Sequence, residues 1–186
     1  MQPTSQRIIN RRSRENNVWL EYPGAGTISA DVRSEYRYDV LPTEEAVGEA
    51  MFRELADYAA TTDRDIVMVL LGGRGAQAMY RLINQRAAAG ELDELLGRLH
   101  VFTQDALAPM RMDNGLSFVR DFERLLGDEF FSRIKSFTPM LTETDDLEAA
   151  LEDYLAKLES LGGIDIFYLG HGPEADAASH LCYIKP

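Results

Sequence analysis

Apolar residues along this chain alternate between two rhythms, short unbroken runs and stripes at helical spacing. Ile66 to Leu71 is a continuous apolar run, the signature of a strand buried on both faces. It breaks at Gly72-Gly73-Arg74-Gly75 and resumes at helical spacing from about Ala76 to Ala89. Upstream, Thr43 precedes Glu44 and Glu45 and a stripe of Ala46, Val47, Ala50, Met51, Leu55 and Ala59, which predicts a capped helix with acids in its first turn. Glu35 to Val40 alternates and is rich in tyrosine, so it is expected to form a first strand that Pro42 stops.

Downstream, Glu91 to Leu96 predicts one further helical turn and Leu99 to Thr103 the next strand. A helix is expected over 116–130, burying Phe118, Val119, Phe122, Leu125 and Leu126, and then a short strand at Ile134 to Phe137. Asp145 with Glu148 matches a capping box and opens a helix with the stripe Leu147, Leu151, Tyr154, Leu155 and Leu158, closed by Gly162-Gly163. Ile164 to Leu169 is the last apolar run, and His180 to Pro186 the last segment. Strands alternating with helices predict an α/β fold, a mostly parallel sheet with helices on both faces, Rossmann-like and three-layered. Residues 1–35, with Arg7, Arg11, Arg12 and Arg14, are set apart as a basic N-terminal extension, leaving 36–186 as one domain.

Composition narrows the partners. With 186 residues, 45% hydrophobic and 27% charged, the chain suits a single core. A net charge of −12 argues against nucleic acid or an anionic membrane surface, both of which reward a basic face. One cysteine, Cys182, allows no internal disulfide; three histidines and that cysteine show no metal-ligand spacing. No apolar run is long enough to span a bilayer and residues 1–14 lack an apolar core segment, so a cytoplasmic location is expected, without cofactor or metal.

Candidate chemistry gathers where the strands end. Glycines after a buried strand let backbone N–H groups face one concavity at the start of the next helix, where a phosphate fits and Arg74 can fork onto its oxygens. A tight turn without a ligand uses the same glycines. The second strand ends at Gln104-Asp105, the third at Gly170-His171-Gly172, with His180 a few residues on. In parallel sheets these ends share one edge, so a phosphate cradle, a carboxylate and a histidine meet there as an acid/base site. Asp105 can equally cap a turn, and His100, at a strand entrance, is taken as structural. Gly73-Arg74-Gly75-Ala76-Gln77-Ala78 also satisfies the dinucleotide pattern G-x-G-x-x-A, but Asp105 lies farther along than the roughly 20-residue spacing of a ribose-binding acid.

In this order the motifs resemble the glucosamine-6-phosphate deaminase and 6-phosphogluconolactonase family of sugar-phosphate enzymes. Leu71 to Tyr80 is similar to the family's phosphate loop without its usual hydroxyl residues, Val101 to Asp105 to the strand ending in its catalytic aspartate, and Asn114 to Phe118 to its Ser-aromatic helix start. Leu161 to Phe167 with Leu169 to Gly172 resembles the strand and glycine turn before the catalytic histidine.

The resemblance implies Gly72, Gly73, Arg74 and Gly75 on the phosphate, Asp105 as the carbon base and His180 in ring opening, or in activating water in the lactonase variant. It departs at Ala178-Ser179, which stand where an acid and a glycine precede the family's histidine, and at Lys185, which stands in place of a glutamate. Aligned without gaps, Asp176 takes the histidine's place, which would break the site; with a gap, Glu174 or Asp176 is the nearest acid to His180. The family's C-terminal strand-helix units have no counterpart in these residues. A phosphorylated sugar is therefore the expected ligand of a deaminase/isomerase-like enzyme, with a lactonase or a non-catalytic sugar-phosphate binder as alternatives, a dinucleotide-binding protein third, and a homo-oligomer compatible with each.

Overall fold

The computed structural model describes residues 39–170. Four parallel strands form one sheet in the order β3-β2-β1-β4. They are β1 (Ile66–Leu70), β2 (Leu99–Thr103), β3 (Ser136–Thr138) and β4 (Ile166–Phe167). The helices are α1 (Glu44–Ala60), α2 (Gln77–Ala88) with a 3-10 turn (Arg74–Ala76) before it, α3 (Asp93–Leu96), α4 (Phe118–Arg133) and α5 (Leu147–Ser160). Ile66 pairs with Leu99 and Leu70 with Thr103, so the two central strands end level.

Both central strands are buried at every position, and alternate residues serve different layers. Ile66, Met68, Leu70, Leu99 and Val101 pack with α1, α2, α3 and α4. Val67, Val69 and Phe102 meet Tyr154 and Leu158 of α5. Helices thus cover both faces of a parallel sheet, as the apolar rhythm predicts.

Thr43 caps α1 as expected, its hydroxyl accepting the Ala46 N–H at 3.1 Å. The buried stripe of α1 is rotated from the predicted one: Gly48, Phe52 and Leu55 are inside while Val47 is exposed. Gly48 is the reason, because a Cβ there would lie 2.6 Å from Met79 N and 2.7 Å from the Ala78 carbonyl carbon. The missing side chain brings α1 onto the backbone of α2.

Several boundaries move. Asp146, not Asp145, caps α5, accepting the Ala149 N–H at 2.9 Å; two adjacent acids offer the same local signal and the turn selects one. Only Tyr154 and Leu158 of the α5 stripe are buried, and Leu147, Leu151 and Leu155 stay 46%, 47% and 51% exposed. α5 therefore meets the sheet along a line narrower than its apolar face.

The helix predicted over 116–130 runs later, from Phe118 to Arg133, and bends at Gly127, whose φ of 75° and ψ of 165° are not helical. β3 is displaced to Ser136–Thr138, and β4 is shorter than Ile164 to Leu169; before it, Asp165 meets Val67 with both its backbone N–H and its carboxylate. Of the strand expected at Glu35 to Val40 only Asp39 and Val40 are described, and neither is in a strand.

Candidate active site

The glycine turn follows β1 directly. Gly73 adopts φ 80° and ψ −164°, a conformation open in practice only to glycine, and it turns the chain from strand into the 3-10 turn. The N-cap residues of that turn and of α2, Gly73 and Ala76, provide no side-chain cap, and the first N–H groups of a helix need an external acceptor. Tyr80, buried in α2, fixes the turn from beneath, its hydroxyl donating to the Leu71 carbonyl at 2.8 Å. Burial pushes its phenol well above the ordinary range, so it stays a donor.

Asp105 reaches this turn from the next strand. Gln104 N–H donates to Leu70 O at 3.0 Å, extending the pairing one residue past β2 and placing Asp105 beside Gly72. A Cβ on Gly72 would lie 3.3 Å from Asp105 Oδ1 and 3.1 Å from the Phe118 ring, so a side chain there would push the carboxylate or the ring back by a few tenths of an ångström. Gly170, beyond β4, likewise sits against Leu71, where a Cβ would come within 3.1 Å of Leu71 Cδ1. Three strand ends therefore converge, bringing Gly72, Asp105 and Gly170 to one edge.

Arg74 does not lie over the turn. Its guanidinium extends to Glu44 at the start of α1, with Nε donating to Oε1 at 2.9 Å, and its side chain is 83% exposed. The other predicted site residues, His180 and Asp176, lie outside the described residues, as do His171 and Lys185. His100 is structural: its Nδ1 is 2.7 Å from Ser136 Oγ at the amino ends of β2 and β3, the far side of the sheet from Asp105.

Other residues complete the edge without a local sequence signal. Tyr154 donates its hydroxyl to Thr103 O at 2.6 Å, and Tyr168 donates to Met51 O at 2.7 Å. Burial pushes the Tyr154 phenol up to about 12 and that of Tyr168 well above the usual range, so both act as fixed donors. Gln104 Oε1 is buried and has no hydrogen-bond partner among the described residues. Beside Asp105 lies a small depression, large enough for about one water molecule, walled by the segment after β2, the start of α4 and the residues after β3. Among the described residues no cluster of histidine, cysteine and acids could hold a metal ion.

A parallel α/β sheet with glycine turn and carboxylate at the carboxyl ends of neighbouring strands places the chain in the doubly wound class. Within that class its fold is the one seen in a monomeric glucosamine-6-phosphate deaminase described as a missing link of the NagB superfamily. The two share 24% identity with a TM-score of 0.56, over 67% of this chain and 51% of that one. A 6-phosphogluconolactonase from Thermotoga maritima shows 23% identity and a TM-score of 0.48, over 63% of this chain and 50% of that one. The chain spans about half the length of these solved structures. No protein-family model and no curated protein sequence matches it. The likeness first drawn from motifs thus holds at the level of the fold. No described helix is long and apolar enough to cross a membrane.

Proposed function

We propose that this chain carries the phosphate-binding and carbon-base half of a sugar-phosphate enzyme of the glucosamine-6-phosphate deaminase/isomerase kind. The observation that carries the proposal is the contact of Gly72 with Asp105, which sets a carboxylate against an uncapped, glycine-built helix start. The ligand's phosphate takes the N–H groups of that start, and Arg74 leaves its exposed pairing with Glu44 to fork onto the phosphate oxygens. Asp105 then removes the proton from C2, beside the carbonyl, and the electron pair moves onto the carbonyl oxygen, which takes a proton from water to give an enediol or, with a 2-amino group, an enolamine. Delivery of the Asp105 proton to C1, with loss of the proton on the C2 oxygen, gives the ketose; with nitrogen at C2 the same proton delivery gives an imine that water hydrolyses with release of ammonia. Ring opening falls to His180 in this proposal, with Asp176 or Glu174 as the accompanying acid, on the strength of the family resemblance alone.

The test is exchange of the C2 proton of glucosamine 6-phosphate with deuterated solvent, followed by NMR. Asp105→Asn is expected to slow it by at least about 100-fold while leaving ligand affinity within a few-fold. Gly75→Asp is expected to abolish binding of the phosphorylated sugar without unfolding the domain, because Gly75 is exposed and a Cβ there meets only Leu71 Cδ2 at 3.6 Å. Exchange unaffected by Asp105→Asn returns that residue to a turn-capping role, and equal phosphosugar affinity in Gly75→Asp removes the phosphate from the turn.

A further inference from the structure

The two faces of the sheet are covered unequally. α1, α2, α3 and α4 pack on one side, and α5 is the one helix on the other among the described residues. Phe167 marks what α5 leaves uncovered. It is the register partner of Val69, which packs under α5, so it lies on the α5 side of β4, yet it is 42% exposed. Parallel strands are ordinarily buried on both faces, so this side of the sheet leaves a place for a second helix. α5 itself seats through Tyr154 and Leu158, and Leu151 and Leu155 stand half exposed on the flank of that line. Beside the two leucines run Glu148, three residues before Leu151, Glu152, three before Leu155, and Glu159, four after it. All three acids are exposed, and none is ion-paired among the described residues. Lys157, the single cation of α5, is two residues from Leu155 and so lies on another side of the helix.

An apolar flank with an acidic rim selects its partner by charge. A second copy of this chain, at a net charge of −12, would set glutamates against glutamates, and juxtaposed like charges reject a partner. A helix with one apolar stripe and lysines or arginines beside it meets both the leucines and the rim. We propose that the Leu151 and Leu155 flank of α5 docks a basic amphipathic helix of another polypeptide, with its cations facing Glu148, Glu152 and Glu159. The surface is separate from the glycine turn and Asp105, so the proposal is independent of the chemistry assigned there.

Fluorescence anisotropy on the full chain tests it, with a labelled helix-forming peptide of about 18 residues that carries leucines on one stripe and lysines beside them. Two control peptides have the same leucines and lysines in permuted order, or glutamates in place of the lysines. Each control is expected to bind at least about tenfold more weakly than the striped basic peptide. Leu151→Gln with Leu155→Gln, which keeps good helix formers on the surface, is expected to weaken that peptide by about tenfold or more. Glu148→Gln, Glu152→Gln and Glu159→Gln together are expected to weaken it about fivefold at low salt and to flatten its salt dependence, and they decide the matter should the leucine variant melt early. Glu45→Gln with Glu49→Gln removes exposed acids from α1 and is expected to leave binding within about twofold. No binding of the striped basic peptide, equal binding of the permuted one, or an equal loss in the α1 variant overturns the proposal. So does sedimentation showing a dimer that the leucine variant dissolves, since the occupant is then a second copy.

Discussion

The two ends of the same parallel strands are built on opposite physical principles. At the amino ends, charges and side-chain hydrogen bonds stitch the elements together. Asp165, just before β4, accepts from Tyr58 Oη at 2.7 Å, from Val67 N–H at 2.9 Å and from the Arg64 guanidinium. Lys135 donates to Asp65 at 2.6 Å, and Arg98 donates to the carbonyls of Ala59, Thr62 and Arg64. At the carboxyl ends, glycines let backbones and side chains close on one another, and tyrosine hydroxyls satisfy the last carbonyls. Asp105 there stands against Gly72, and Arg74 pairs at the surface with Glu44. Among the described residues, polar networks hold the amino ends together and close approach holds the carboxyl ends.

The largest test of this contrast is Gly48→Ala. Helix propensity alone predicts a gain of roughly 1 kcal/mol for that change. Contact with the Ala78 and Met79 backbone at under 3 Å predicts the reverse, a net loss of about 3 kcal/mol, seen as a fall in Tm of about 10 °C. A rise in Tm would mean that α1 and α2 can part at no cost, and that the carboxyl end does not depend on their close approach.

Next is Asp165→Asn, expected to cost about 2 kcal/mol in denaturant unfolding, since it weakens charged hydrogen bonds at a largely buried acceptor. Burial opposes the Asp165 charge, but hydrogen bonds from Arg64, the Val67 N–H and Tyr58 outweigh it and hold the carboxyl below its usual range. Its stabilisation is therefore complete above the unfolded value of about 3.9 and is lost as pH falls through the lower folded value. The variant should unfold less steeply with acid than the parent below about pH 4. An unchanged acid limb would show that the amino end is not held by this carboxylate.

The smallest effect is expected from Glu44→Gln. Both side chains of its pair with Arg74 are more than half exposed, so stability should stay within about 0.5 kcal/mol. Freed from that partner, Arg74 should bind phosphate about twofold to threefold more tightly, a gain that titration at low salt would detect. A large loss of stability would make the pair structural and align the two ends after all.

How much of this was legible beforehand follows the range of the signals. β1, β2 and the glycine turn announce themselves within a few residues, and since parallel strands end at one edge, the meeting of Gly72 with Asp105 could be expected before any coordinates. Gly48 carries no such signal, because its meaning lies in Ala78 and Met79 thirty residues on. Glu44 as the partner of Arg74 is hidden for the same reason. Asp145 and Asp146 are indistinguishable locally, so the α5 cap was misplaced by one. The α5 stripe was correctly apolar, yet periodicity reports the face a helix offers and not how much of it the sheet accepts, which left Leu147, Leu151 and Leu155 half outside. The histidine of the candidate site lies outside the described residues, and its assignment stands on resemblance.

Gly127 gives α4 a mechanical character that an unbroken helix would lack. Backbone at φ 75° and ψ 165° cannot carry the helical hydrogen-bond ladder, so α4 is a jointed rod of two arms. The arm before the joint bears Phe118 and Val119 and is clamped by Phe122, Leu125 and Leu126 in the core. The arm after it is anchored separately, by Phe130 and by Arg133 donating to Ala87 O at 2.9 Å. Any side chain at the joint would collide with Asn84, whose Oδ1 would be 2.6 Å from a Cβ, so the joint is kept bare. Each arm of α4 is thus fixed to the core by its own residues, and a change of direction at residue 127 lets both seat against the same sheet.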